Sequence, residues 1–287
     1  MSKTKAVSPM VRSVRPAEIE DMVNNGWVVL RELIDPDAIA GAAAAAHSVF
    51  GADGSTEVAG AETLSGVRVT RQVYKDLDAL EAVVVCEPVG RAVADLFGRQ
   101  SQIRLLGDMV GVATSANAVA GPNTYRQCSF GRPTDRNMIG LSFTLEQTTP
   151  EQGGVRYLSG SHRLGGLGFV QELAEDDLDT FPRLVAETTL AEATTLNPGD
   201  VVAHISTCVY TIAPNTTDVP RWTYQAGYYP GDARYVEWPN PYTAGLDLKQ
   251  YQVLDHENFP VVYSGVGIEA AEVPASAFVA TRGKHIA

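Results

Sequence analysis

Along this chain the spacing of apolar residues changes character near residue 100. Before it they recur at helical spacing; after it they fall into short alternating runs bounded by Gly, Pro and Asn. Pro16, followed by Ala-Glu-Ile-Glu-Asp-Met-Val, predicts a helix start, because proline suits a first turn and carboxylates favour the positive end of the helix dipole. Residues 26–30, Gly-Trp-Val-Val-Leu, read as a short strand. Asp35 is a good N-cap and Pro36 a good first residue for the Ala-rich helix that follows, to Phe50. Residues 52–66 are rich in Gly, Ser and Thr and predict a loop. Residues 77–97 return to helical spacing, interrupted near Pro88.

The strand-like runs are residues 103–114, 138–147, 153–160, 193–214 and 221–230. Helices first and strands after predict an α+β fold, with the N-terminal helices flanking a sheet sandwich. There is no internal repeat, low-complexity tract or second composition regime. The expected organisation is a flexible tail over residues 1–14 and a single domain over 15–287. Residues 238–267 are dense in Pro, Gly and aromatics without a period, and predict a long ordered loop system. Such a segment either simply covers the sheets or brings Trp238, Tyr242 and Tyr251 over a pocket.

Composition narrows the function classes. The 287 residues carry 34 acidic against 22 basic side chains, a formal charge of −12, which argues against nucleic acid or an anionic membrane as partner. The basic start lacks the apolar core of a signal peptide, and the apolar run 38–50 is too short to span a bilayer. Cys86, Cys128 and Cys208 are odd in number and have no metal-type spacing, so a reduced, cytoplasmic protein is expected. Neither GxxxxGK[ST] nor GxSxG occurs, which leaves nucleotide binding and a hydrolase elbow without support.

Two stretches carry a resemblance. Residues 199–221 read GDVVAHISTCVYTIAPNTTDVPR and residues 153–163 read GGVRYLSGSHR. Together they resemble the phytanoyl-CoA dioxygenase family of iron(II)/2-oxoglutarate oxygenases. In that family a Gly-Asp strand entry precedes a metal-binding histidine, then Pro-Asn-x-Ser/Thr, then an Arg that pairs with 2-oxoglutarate. Gly199, Asp200, Pro214, Asn215, Thr217 and Arg221 fall in this register, and the resemblance extends over about residues 15–235. It implies a double-stranded β-helix, a jelly-roll or cupin-like barrel. The place of the metal histidine, however, holds Tyr210. Upstream, where the family carries His-x-Asp, the matching segment is read as Tyr125-Arg126-Gln127, with Tyr125 at the histidine and Gln127 at the aspartate. A protonated phenol and a neutral amide do not replace the imidazoles and carboxylate that hold iron(II). No metal ligands are assigned, iron is not expected, and 2-oxoglutarate, left with Arg221 alone, is expected to bind weakly.

Strand alternation puts Tyr210, Cys208 and His204 on one face, and the family geometry implies that Tyr125 and Gln127 lie opposite them. Tyr125 and Tyr210 are each either a core aromatic in a vacated metal site or a hydrogen-bond donor to substrate. Gln127 either orients a substrate or packs between strands. His204 is the candidate titrating base, or a packed ring. Arg221 is the candidate carboxylate anchor, and Cys208, Asn215 and Trp238 complete the substrate-binding set. The expected partner is a small molecule with a carboxylate or enol group. The expected function is a cofactor-free, non-oxidative biosynthetic step of the cyclase or isomerase type on a secondary metabolite. Two alternatives remain: an iron/2-oxoglutarate dioxygenase with non-standard ligands, and a catalytically inactive ligand-binding protein.

Overall fold

The computed structural model describes residues 8–64, 66–99, 101–117, 124–127, 130–167, 172–238 and 240–265. Five α-helices form among the described residues: α1 (Pro16–Asn25), α2 (Pro36–Phe50), α3 (Asp78–Val84), α4 (Glu87–Leu96) and α5 (Pro182–Glu187). The local signals act as read. Pro16 opens α1, and Glu18 reaches back to the backbone N–H of Arg15 at 2.7 Å. Gly26 ends the helix at φ 80°, a conformation that needs glycine. Asp35 caps α2 by accepting from the N–H groups of Asp37 (2.9 Å) and Ala38 (3.3 Å). The break ahead of Pro88 separates α3 from α4.

The strands are β1 (Trp27–Leu30), β2 (Glu62–Leu64), β3 (Val67–Arg71), β4 (Ile103–Ala113), β5 (Thr124–Gln127), β6 (Ile139–Thr144), β7 (Val155–Ser159), β8 (Glu172–Ala174), β9 (Thr189–Leu190), β10 (Val201–Ile205), β11 (Val209–Ile212), β12 (Arg221–Pro230) and β13 (Val261–Tyr263). Among the described residues they build two antiparallel sheets. The larger has the order β1-β10-β6-β12-β4-β3-β2, with β13 also on β4; the smaller has the order β8-β5-β11-β7-β9. This is the α+β, jelly-roll class expected from the sequence. The short strands β2, β8, β9 and β13 carry too few residues for an alternation to show, and β2 lies inside the segment expected to be loop.

One face of the large sheet meets the helices. Val28, Leu30, Leu141, Phe143, Trp222 and Tyr224 pack there with Met22, Ile39, Phe50 and Val93. His47 and Phe50 of α2 lie on the Trp222 ring, at centroid distances of 4.7 and 6.5 Å. Burying a side chain such as Phe50 contributes about 1.5–3 kcal/mol. The opposite face turns to the smaller sheet and mixes small and polar residues, such as Gly140, Ser142 and Thr144 of β6, with a second apolar cluster that includes Val67, Val69, Leu106 and Met109. Gly107, Gly227 and Gly140 are consecutive register partners across β4, β12 and β6, and rings rest on them where a Cβ would stand: Tyr242 on Gly107, Phe130 on Gly227, His204 on Gly140. The glycines thus lower the floor of the barrel.

Two expectations change at the ends. The segment expected to be a flexible tail is partly anchored: the N–H of Val11 donates to Leu33 O at 3.0 Å, and that of Asp35 to Pro9 O at 2.7 Å. Residues 1–7 lie outside the described residues, as do residues 266–287. In the C-terminal segment Tyr242 does insert into the molecule, 3% exposed, with its hydroxyl donating to Asp108 O at 3.1 Å. Tyr251 does not; it is 61% exposed and roofs nothing. Half-buried Trp238 sits near Gly131 under the Arg132 guanidinium, 5.9 Å from its ring centroid.

Candidate active site in the barrel interior

Side chains facing each other across paired strands share a face of the sheet. On β11, Tyr210 stands opposite Tyr157 of β7 and Arg126 of β5. The Tyr210 ring lies 6.0 Å from that of Tyr157 and 6.0 Å from that of His204, and the latter two are 5.6 Å apart. Trp27 of β1 stacks on Tyr157 at 5.1 Å and donates its indole N–H to Ser159 Oγ at 2.9 Å. Three rings in mutual contact, flanked by a fourth, therefore occupy the space between the sheets.

Tyr125 and Gln127 are not part of this cluster. Tyr125 pairs with Thr211 and Gln127 with Val209, which turns both to the other face. Tyr125 is buried there among Leu158, Leu173, Leu184 and Val209. The Gln127 amide donates to Gly165 O (2.9 Å) and Thr207 O (2.6 Å), and accepts from the N–H of Leu167 (2.9 Å). Its capacity goes into fixing backbone. The expectation that both face Tyr210 fails by one residue, and one residue of strand register exchanges every side chain between faces. Arg126 is the β5 residue in register with Tyr210; Cys128 lies outside the described residues.

Arg221 enters the barrel at the start of β12 and is 4% exposed. Its Nε has no hydrogen-bond partner, and no ion pair to it occurs among the described residues. Burial pulls its pKa down to about 10, partly offset by the Tyr157 phenol. A cavity of about 50 Å³ adjoins it, lined by Trp27, Val29, Ser142, Thr144, Tyr157 and Arg221 among others. A buried guanidinium with an unpartnered Nε thus borders a small cavity, a placement that carries a desolvation cost. Asn215 does not line this cavity. Its amide donates to Ala113 O (2.9 Å) and Val219 O (2.8 Å) and accepts from Thr217, so it braces the loop that delivers Arg221. Tyr157, which the sequence reading passed over, is the fully interior phenol beside Arg221; burial raises its pKa. Its place two residues after Val155 in an alternating strand was the available signal.

His204 and Cys208 are interior but electrostatically quiet. Burial lowers the His204 pKa to about 4, so the ring is neutral at physiological pH and does not titrate there as expected of a base. Its Nδ1 has no partner. Burial raises the Cys208 thiol to about 12, against a small opposing effect of the Ser161 hydroxyl, which excludes a thiolate nucleophile at neutral pH. For the iron that the resemblance implies, the donor set is the test. Tyr210, at the place of the motif's second histidine, faces Arg126 across the strand pair, and no group of three His, Cys, Asp or Glu side chains at ligating distance occurs among the described residues. A guanidinium repels a divalent cation, and this set does not fit iron(II).

The phytanoyl-CoA dioxygenase family model matches residues 22–223. No curated protein gives a significant match to the sequence. Among solved structures, the chain is similar to SnoN, a non-heme α-ketoglutarate-dependent epimerase from nogalamycin biosynthesis: 17% identity, 86% of this chain and 97% of that one, TM-score 0.69. It is similar to SnoK, a non-heme α-ketoglutarate-dependent carbocyclase from the same biosynthesis: 21% identity, 87% and 96% coverage, TM-score 0.69. EvdO2 from Micromonospora carbonacea var. aurantiaca, solved with 2-oxoglutarate, follows at 16% identity, 82% and 98% coverage and TM-score 0.59. At these identities the likeness establishes the fold.

Proposed function

This chain belongs to the phytanoyl-CoA dioxygenase family, and we propose that it is a member working without iron, a non-oxidative biosynthetic enzyme of the cyclase or isomerase type acting on a small secondary metabolite. The observation that carries this is the pairing of Tyr210 with Arg126 and Tyr157 on the interior face. That face offers fixed hydrogen-bond donors and positive charge in place of metal ligands. The substrate class is supported by the natural-product tailoring enzymes among the structural neighbours; both are described as α-ketoglutarate dependent, so the support extends to substrate and not to cofactor use.

In this reading Arg221 grips a substrate carboxylate, and its unpartnered Nε gains the acceptor it lacks. The phenols of Tyr157 and Tyr210 donate to a carbonyl or enol oxygen and stabilise negative charge as it develops. Neutral His204 offers an imidazole nitrogen as acceptor, and the stacked rings hold one conformer of the substrate. Cyclisation, isomerisation, elimination and rearrangement need no more than this. The closely packed rings and the small cavity favour a second reading, a catalytically inactive binding protein.

Metabolite profiling of cells carrying the gene separates the readings. Tyr210→Phe and Arg221→Ala are expected to abolish the product of the step. Unchanged output would reject an enzymatic pocket here. Stoichiometric iron with succinate release would establish the remaining alternative, an iron/2-oxoglutarate dioxygenase with non-standard ligands.

A further inference from the structure

We infer that Arg126 is a ligand-facing cation which, with Tyr210, forms an oxyanion-binding pair, so that the barrel takes an organic acid bearing a second acidic oxygen, an enolate or phenolate, besides the carboxylate held by Arg221. The inference rests on the metal-free reading above and deepens it. Arg126 is the register partner of Tyr210 on β5, and the Tyr210 ring is in contact with the interior rings of Tyr157 and His204. Its chain neighbours Tyr125 and Gln127 face away, into the apolar cluster and onto backbone carbonyls, which leaves Arg126, with Thr124 two residues before it, on this face. It is half-buried, so a charged hydrogen bond from it is only partly screened by water.

The backbone neighbour of Arg126 on its other side is Glu172 of β8. A guanidinium has five N–H donors on more than one edge, so it can serve a neighbour and still present an edge to a ligand. A phenol beside it supplies a second donor to the same oxygen. Arg221 stands on a different strand, next to Tyr157 rather than Arg126. The two cations thus serve two separate anionic groups of one ligand. A simple monocarboxylate would engage Arg221 and leave the Arg126–Tyr210 edge without a ligand contact.

The test uses the full-length, chelator-treated protein and 4-nitrophenol, whose phenol and phenolate absorb at different wavelengths. Wild-type protein is expected to bind the phenolate about tenfold more tightly than the phenol, and so to shift the bound probe's titration to lower pH by about one unit. Arg126→Gln is expected to remove that preference, Arg126→Lys to keep most of it, and Tyr210→Phe to weaken it. No phenolate preference in the wild type, including no binding at millimolar probe, would overturn the inference even if Arg126→Gln failed to fold. So would a preference retained in a folded Arg126→Gln, or one lost only in Arg221→Ala. The measurement reads charge and not turnover. Iron-dependent turnover would sink the metal-free reading, whereas iron-free turnover unaffected by Arg126→Gln would sink only this inference.

Discussion

Arg221 and His204 show how much a single buried side chain decides. Arg221 is a charge held 4% exposed with its Nε unpartnered, a costly placement. Replacing it by methionine is therefore expected to leave stability unchanged or raise it by about 1–3 kcal/mol while ligand binding is lost; a large fall in melting temperature would mean that the guanidinium is structural. Arg221 was legible in the sequence because its motif is contiguous, from Pro214 through Arg221. Tyr157 was not, since its importance comes from facing Tyr210 and Arg221 on other strands. His204 makes a prediction about pH. An unfolded chain protonates this imidazole near 6.5, whereas the folded interior keeps it neutral down to about 4. Its contribution is present above 6.5 and is lost as pH falls to about 4, an amount of about 3 kcal/mol. Denaturant titrations of the wild type and His204→Asn across that range measure it; equal slopes would contradict the assignment.

At the scale of elements, the sequence disclosed those that carry their own signals. Pro16 and Asp35 mark the helix starts, Pro88 the break between α3 and α4, and the long alternating runs became β4, β6, β10 and β12. What it withheld was which strand faces which, and in what register. Strand β5 spans only four residues, too short a run for its own alternation to fix which side chains face inward. The residue facing Tyr210 is Arg126, and Tyr125 and Gln127 turn to the other face. This placement predicts that Gln127→Leu, which deletes three hydrogen bonds to backbone, costs about 2–3 kcal/mol of stability and leaves ligand affinity in the surviving folded protein unchanged. A specific loss of affinity without loss of stability would return Gln127 to the site. Likewise Gly140→Ala, which puts a methyl group into the His204 ring, is expected to cost about 1–3 kcal/mol, read by thermal melting.

The whole molecule places a second buried titrating group behind the sheet. Asp108 is 0% exposed, accepts from the N–H of Tyr74 at 2.9 Å and the hydroxyl of Tyr224 at 3.0 Å, and has one oxygen with no partner. Burial raises its pKa to about 7 against those hydrogen bonds. The unfolded chain releases this proton near 3.8, so the contribution is full below 3.8 and is lost as pH rises to about 7, about 4 kcal/mol in all. That gradient opposes the one from His204 over the same range. Asp108→Asn should therefore stabilise the protein at pH 8 and expose a steeper loss towards acid; a destabilised variant at pH 8 would show that the carboxylate is needed ionised. No helix among the described residues is long and apolar enough to cross a membrane.

Within one barrel, then, the helix-facing side is specified by apolar periodicity, and the interior by a few glycines, rings and two guanidiniums. The account's central claim concerns that interior and is tested most directly by anaerobic equilibrium binding of iron(II), with 2-oxoglutarate present, to the chelator-treated protein. The side chains facing one another at Tyr210, Arg126 and Tyr157 predict no stoichiometric iron at micromolar metal. One equivalent of iron bound per chain, displaced on mutation of Tyr210, would contradict it.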